Sequence, residues 1–223
     1  MIARRAFLGA ALAAALVAPA GALGAAHYYY LNPKQLDLAV LLPPPPVASS
    51  AEEQADEAQV AAAVSARSPA QMTEAEEASK RSVFFFTGSV GPNFTAARCP
   101  LTARFFGRIQ SDVKGLIDGA KVYWSRPRPD GAQKRRGSYP SGHAAFAAST
   151  AIVLSLLLPD KRDAIFSQAR VFAENRILLG LHYPSDVASG WTAGTLAAYV
   201  MMRNPAFVRD FNAAKAELRR ANL

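Results

Sequence analysis

Three stretches of this 223-residue chain set basic or imidazole side chains at helix boundaries. The first pairs Lys121 with Arg128 across six residues, with Pro129 next. The second is Gly137-Ser138-Tyr139-Pro140-Ser141-Gly142-His143. The third spaces Arg176, His182 and Asp186 with five and then three residues between them. In the second stretch Pro140 disfavours helix for the residue before it, so a helix opens at Ser141 and Gly142. The N–H groups there lack intrahelical acceptors and face outward with the positive end of the helix dipole, which suits an anion. The same backbone also serves a plain Ser N-cap, with His143 as an ordinary residue of the first turn. As a functional group, His143 can give or take a proton near neutral pH.

Together these residue types suit cleavage of a phosphate monoester, which needs a nucleophile, positive charge on the phosphoryl oxygens and an acid for the leaving alkoxide. His182 can be the nucleophile, since neutral imidazole attacks well and forms a covalent intermediate that water later hydrolyses. Asp186 can reach back across a turn broken by Pro184 and hold that imidazole in one tautomer. The alternative for Asp186 is an acid capping the helix that begins at Pro184, and the two roles are compatible. Lys121, Arg128 and Arg176 can hold phosphoryl oxygens, the arginines bidentately, and the Ser141 hydroxyl and Gly142 N–H complete the cradle. The scheme needs no metal or other cofactor. The histidines are His27, His143 and His182, with no cysteine pair or carboxylate cluster beside them, so a zinc or two-metal site is not expected.

The elements that must position these groups read as helices throughout. Ser49-Ser50 caps a polar helix to about Arg67, and Ser68-Pro69 opens another that runs to about Phe86. Phe105, Phe106, Ile109, Val113, Leu116 and Ile117 mark one buried face of a helix from Cys99-Pro100, with a break expected at Gly115 and Gly119. Ala144 to Leu158 is a helix rich in small residues, a further helix runs from Pro159 to about Leu181, and the last two start at Pro184 and Asn204-Pro205. No alternating apolar and polar run predicts a strand. The expected class is all-α, a single helical domain of roughly seven to nine helices around a helix-bundle core.

Residues 1–26 read as a signal peptide: Arg4-Arg5, an apolar run from Phe7 to Val17, and small residues for cleavage near 20 or 26. Arg-Arg-Ala-Phe-Leu also looks like a twin-arginine signal, so the Sec and twin-arginine routes both stay open. The expected product is periplasmic or secreted. Residues 27–48 form an extended arm ending in Pro43-Pro44-Pro45-Pro46, expected to lie across the surface, and 49–223 the helical domain. Cys99 is the one cysteine, so no intrachain disulfide forms. Loss of Arg4 and Arg5 with the leader leaves 23 basic against 17 acidic side chains, a charge of +6 that favours anionic partners. The longest apolar run after the leader, Ala144 to Leu158, is 15 residues, short of the roughly 20 that span a membrane.

The Lys-x6-Arg-Pro, Pro-Ser-Gly-His and Arg-x5-His-x3-Asp order resembles the tripartite signature of the type 2 phosphatidic acid phosphatase superfamily. Within it the chain is similar to the bacterial class A non-specific acid phosphatases. The likeness is carried by Gly137 to His143, by Leu41-Leu42 with the four prolines, and by Gly91-Pro92-Asn93-Phe94-Thr95. Asn175 departs from the family's serine before the third-motif arginine, and the ten residues between Pro129 and Pro140 are fewer than is usual. The resemblance implies a metal-independent acid phosphatase of broad specificity that works through phosphohistidine, with His143 as leaving-group acid and then base for water. Phosphate transfer to alcohols is an implied side activity.

The expected partners are small phosphorylated substrates, with no obligate nucleic acid and room for a homo-oligomer. Rival readings are a vanadate-binding haloperoxidase-like enzyme, a lipid or pyrophosphate phosphatase of the same superfamily, and a non-catalytic anion or nucleic-acid binding module. The last is prompted by Lys134-Arg135-Arg136, which can also steer polyanionic substrates inward. Tyr123, Trp124 and Tyr139 are candidates either for a leaving-group wall or for core.

Overall fold

A computed structural model describes residues 28–131 and 137–223. Among them are nine α-helices, three short 3₁₀ turns and no strand. The leader, His27 and Lys134-Arg135-Arg136 lie outside the described residues. The helices are α1 (Leu38–Leu41), α2 (Ala51–Ala66), α3 (Pro69–Glu77), α4 (Thr87–Val90), α5 (Pro100–Trp124), α6 (Gly142–Leu157), α7 (Arg162–Leu178), α8 (Pro184–Met201) and α9 (Pro205–Arg220). No helix of the described residues is long and apolar enough to cross a membrane.

The centre of the fold is α6, whose Ala144, Ala145, Ala147, Ala148 and Ala151 are all buried. Small side chains let α8 lie against it at backbone range. A Cβ added at Gly190 would run into the Ser141 carbonyl oxygen and sit 3.0 Å from Ala144 Cβ, and one at Gly194 would lie 2.8 Å from Ala145 Cα. Around this pair, α7 buries Ile165, Ala169 and Phe172, and α5 buries Phe105, Phe106, Ile109, Val113 and Ile117. Outside α5, α9 contributes Phe207, Ala214 and Leu218, so one continuous core runs through the molecule. The Ser68 cap forms as expected, with the Ser68 hydroxyl accepting from Gln71 N and the Gln71 side chain accepting from Ser68 N.

Four expectations need correction. First, α5 is unbroken: Leu116, Ile117 and Ala120 continue its buried face around Gly115 and Gly119, and that burial outweighs a helix penalty of about 1 kcal/mol per glycine. Second, the arm is not a surface strap. Tyr30, Leu31, Leu36, Leu38 and Leu42 are buried, and the Asp112 carboxylate accepts from Tyr29 N, Tyr30 N and Leu31 N at 2.8, 2.7 and 3.0 Å. Third, α3 stops at Glu77. Ser82 accepts from Phe84 N and starts a separate 3₁₀ turn at Val83–Phe86, because its hydroxyl offers the backbone an alternative to a further helical turn. Fourth, the helix expected to reach Leu181 ends at Leu178 and is preceded by a 3₁₀ turn at Pro159–Lys161.

Candidate active site

The starts of α6 and α8 are joined. Ser141, the N-cap of α6, accepts from Ala144 N at 3.4 Å, while its own N–H donates to the Asp186 carbonyl at 2.9 Å. The Ser141 N–H therefore ties the two helices together, while the Gly142 N–H in the first turn of α6 has no intrahelical acceptor. Both histidine motifs meet at this junction as a consequence of the glycine-mediated contact between the helices.

His182 is buried, with 2% of its surface exposed. Its Nδ1 lies 3.2 Å from Asp186 Oδ2, and its Nε2 lies 3.3 Å from Arg128 Nη1. A guanidinium only donates and a carboxylate only accepts, so the proton sits on Nδ1 and the lone pair on Nε2. Asp186 meets both His182 and the start of α8. Oδ2 also accepts from Tyr183 N at 2.9 Å, capping α8, while Oδ1 accepts from Arg126 Nη1 at 2.8 Å. Burial, with the cations Lys121 and Arg128, pushes the His182 pKa down to about 4 against the opposing pull of Asp186. For Asp186 burial acts upward, yet the His182 bond and Arg126 hold the carboxyl below its usual range.

The cations each use part of their donor set on the protein. Lys121 Nζ donates to the carbonyls of Gly137 and Ser138, both at 2.7 Å, and so holds the loop that leads into α6. Burial and the neighbouring Arg128 push its pKa down to about 7. Arg128 Nη1 also donates to the Leu181 carbonyl at 2.7 Å, and Arg176 Nη1 donates to Ser79 Oγ at 2.7 Å. The Nε atoms of Arg128 and Arg176 are buried with no acceptor among the described residues. Such N–H groups are costly unless an oxygen meets them, and phosphoryl oxygens would do so.

His143 is fixed from the other side. Its Nε2 lies 3.1 Å from the Ser79 carbonyl, so Nε2 carries the proton and Nδ1 is free to take up and deliver another. Burial, then Arg176 and Arg81, push its pKa down to about 2. A phosphate dianion between the same arginines would act in the opposite direction.

All eight residues read from the sequence thus border one junction, and four more join them. Ser79 anchors both His143 and Arg176. Arg81 places Nη1 3.5 Å from where a Cβ on Gly142 would be. Arg126 and Asp56 lie behind Asp186: Asp56 Oδ2 accepts from Arg126 Nη2 at 2.9 Å. The available signals are slight, a polar Ser79-Lys80-Arg81-Ser82 run just before the apolar Val83 to Phe86 and an acid at helical spacing from Val60. The aromatic candidates divide. Tyr139 is core, with its hydroxyl bonded to Ser189 Oγ and the Pro43 carbonyl, Trp124 packs edge-on against it at 5.8 Å, and Tyr123 is exposed.

The family model for the PAP2 superfamily matches residues 92–210, more than half of the chain. Over 147 residues the chain is 31% identical to an acid phosphatase of Zymomonas mobilis, covering 60% of this chain and 55% of that protein. It is 31% identical to a non-specific acid phosphatase of Salmonella typhimurium over 97 residues, 44% of this chain and 39% of that one. Identity to a non-specific acid phosphatase of Providencia stuartii is 26%, over 85% of this chain and 84% of the relative. The fold is similar to a transmembrane PAP2 type phosphatidylglycerolphosphate phosphatase from Bacillus subtilis, with TM-score 0.50 and 22% identity over 74% of this chain and 89% of that one.

Proposed function

We propose, from the premise that the chain belongs to the PAP2 superfamily, that it is a non-specific acid phosphatase that hydrolyses phosphate monoesters through phosphohistidine. The observation that carries this reading is the His182 imidazole, its Nδ1 tied to Asp186 and its Nε2 lone pair turned toward Arg128. Arg128, Arg176 and the Gly142 N–H bind the phosphoryl oxygens, with Lys121 adding charge from beneath the loop. Nε2 of His182 attacks phosphorus as the ester P–O bond breaks, and His143 Nδ1–H passes its proton to the departing alkoxide. His143 then takes a proton from water as the water oxygen attacks phosphorus. The P–N bond breaks, phosphate leaves and His182 regains its lone pair. An alcohol in place of that water gives phosphate transfer.

Residues 1–26 act in this reading as a cleaved export leader, and the +6 mature chain works in the periplasm or outside the cell on small phosphorylated substrates. Alkaline quench during turnover of p-nitrophenyl phosphate, followed by mass spectrometry, is expected to find phosphate on His182. His182→Ala is expected to give neither adduct nor turnover, and full activity in that variant would falsify the scheme.

A further inference from the structure

Asp56 and Arg126 belong to none of the three motifs, yet both are buried, at 5% and 4% exposure. Buried charges are costly unless paired, so their arrangement calls for a reason. Asp56 is the one buried acid on the otherwise polar α2. Its Oδ1 accepts from Ser185 N at 3.1 Å, and its Oδ2 accepts from Arg126 Nη2 at 2.9 Å and from the Ser185 hydroxyl. Arg126 Nη1 donates to Ser185 Oγ at 2.7 Å and to Asp186 Oδ1 at 2.8 Å. The Arg126 guanidinium lies over the Tyr183 ring at 4.0 Å, which fixes its plane.

An arginine facing a lone carboxylate tends to take both oxygens with its two Nη groups. Here Asp56 occupies Nη2, so Arg126 reaches Asp186 through Nη1 alone, and Asp186 Oδ2 remains for His182 Nδ1. We propose that Asp56 and Arg126 are positioning residues for phosphoryl transfer, acting through Asp186 to keep one carboxylate oxygen on the His182 imidazole. This extends the phosphohistidine reading and rests on it. It makes α2, which holds no motif residue, part of the machinery that aims the nucleophile. Lys121, Arg128 and His143 act on His182 from other elements.

The test is a double-mutant cycle on the full mature chain with p-nitrophenyl phosphate. Asp56→Asn keeps the shape and an acceptor for Ser185 N. It is expected to lower kcat about tenfold while KM, inhibition by inorganic phosphate and the number of sites titrated by inorganic phosphate change less than about twofold. In an Asp186→Asn background the same substitution is expected to cost less than about twofold, because the group it acts through is already gone. An equal loss in both backgrounds, or unchanged kcat in the single variant, overturns the inference. The site count also corrects for any fraction that fails to fold. Absence of phosphate trapped on His182 in the quenched wild type would instead count against the underlying scheme.

Discussion

Asp112 and Asp186 are both carboxylates with no exposed surface, each on a long helix, and they differ in what meets their oxygens. Asp112 on α5 takes the N–H groups of Tyr29, Tyr30 and Leu31, and so fastens the arm to the core. Asp186 on α8 takes a histidine, an arginine and a single backbone N–H. Backbone donors neither titrate nor react, so the first carboxylate holds chain against chain. The second holds an imidazole whose other nitrogen faces a cation. Burial alone therefore does not distinguish scaffold from site; partner identity does.

The sharpest break of this comparison comes from replacing each acid by its amide. Asp186→Asn is expected to lower kcat by about 10³–10⁴, since the imidazole loses the acceptor that selects its tautomer. Stability is expected to fall as well, since the Asp186 oxygens also meet only donors, so the kinetic readout is the one that separates the two acids. Asp112→Asn is expected to cost about 2–4 kcal/mol as an amide N–H₂ confronts backbone donors, with kcat per folded molecule preserved. A large kcat loss in Asp112→Asn, measured against the number of sites titrated by inorganic phosphate, would undo the distinction.

A smaller effect separates scaffold from site along one helix contact. Gly190 touches α6 at the Ser141 carbonyl, and Gly194 touches it one turn further on, at Ala145. Alanine at either is expected to cost about 1–3 kcal/mol through overpacking. Only Gly190→Ala is expected also to lower kcat/KM, by up to about 10²-fold, because it pushes on the residue that joins the two site helices. Equal kinetic losses from both would mean that the helices move as one body.

The eight motif residues were legible because their chemistry demands particular side chains at particular spacings, and the helix starts at Ser141 and Pro184 carry their own capping signals. The buried face of α5 was legible from its period, but its continuity past Gly115 and Gly119 was not, because packing overrides propensity. Ser79, Arg81, Asp56 and Arg126 escaped for another reason. They come from α2, from the loop after α3 and from the loop after α5, and nothing local marks a residue whose partner lies 60 or 70 positions away. The burial of the arm is hidden in the same way, since Tyr30 and Leu31 are aperiodic and their burial depends on Asp112.

The smallest expected effect concerns Arg81, which lies beside Gly142 but outside the motifs. Together with burial and Arg176, its charge lowers the His143 pKa, whereas His182 is governed by burial, Asp186, Lys121 and Arg128. The two limbs of the pH profile should therefore separate. In the proposed scheme His182 acts neutral, so the acid limb falls as pH drops through the His182 pKa, and His143 acts protonated, so the alkaline limb falls as pH rises through the His143 pKa in the complex. Arg81→Gln removes a positive charge near His143 and raises its pKa. The alkaline limb of kcat is expected to move to higher pH while the acid limb of kcat/KM stays in place. KM is expected to rise about threefold through loss of one cation beside Gly142. Movement of the acid limb instead would place Arg81 on the His182 side of the junction.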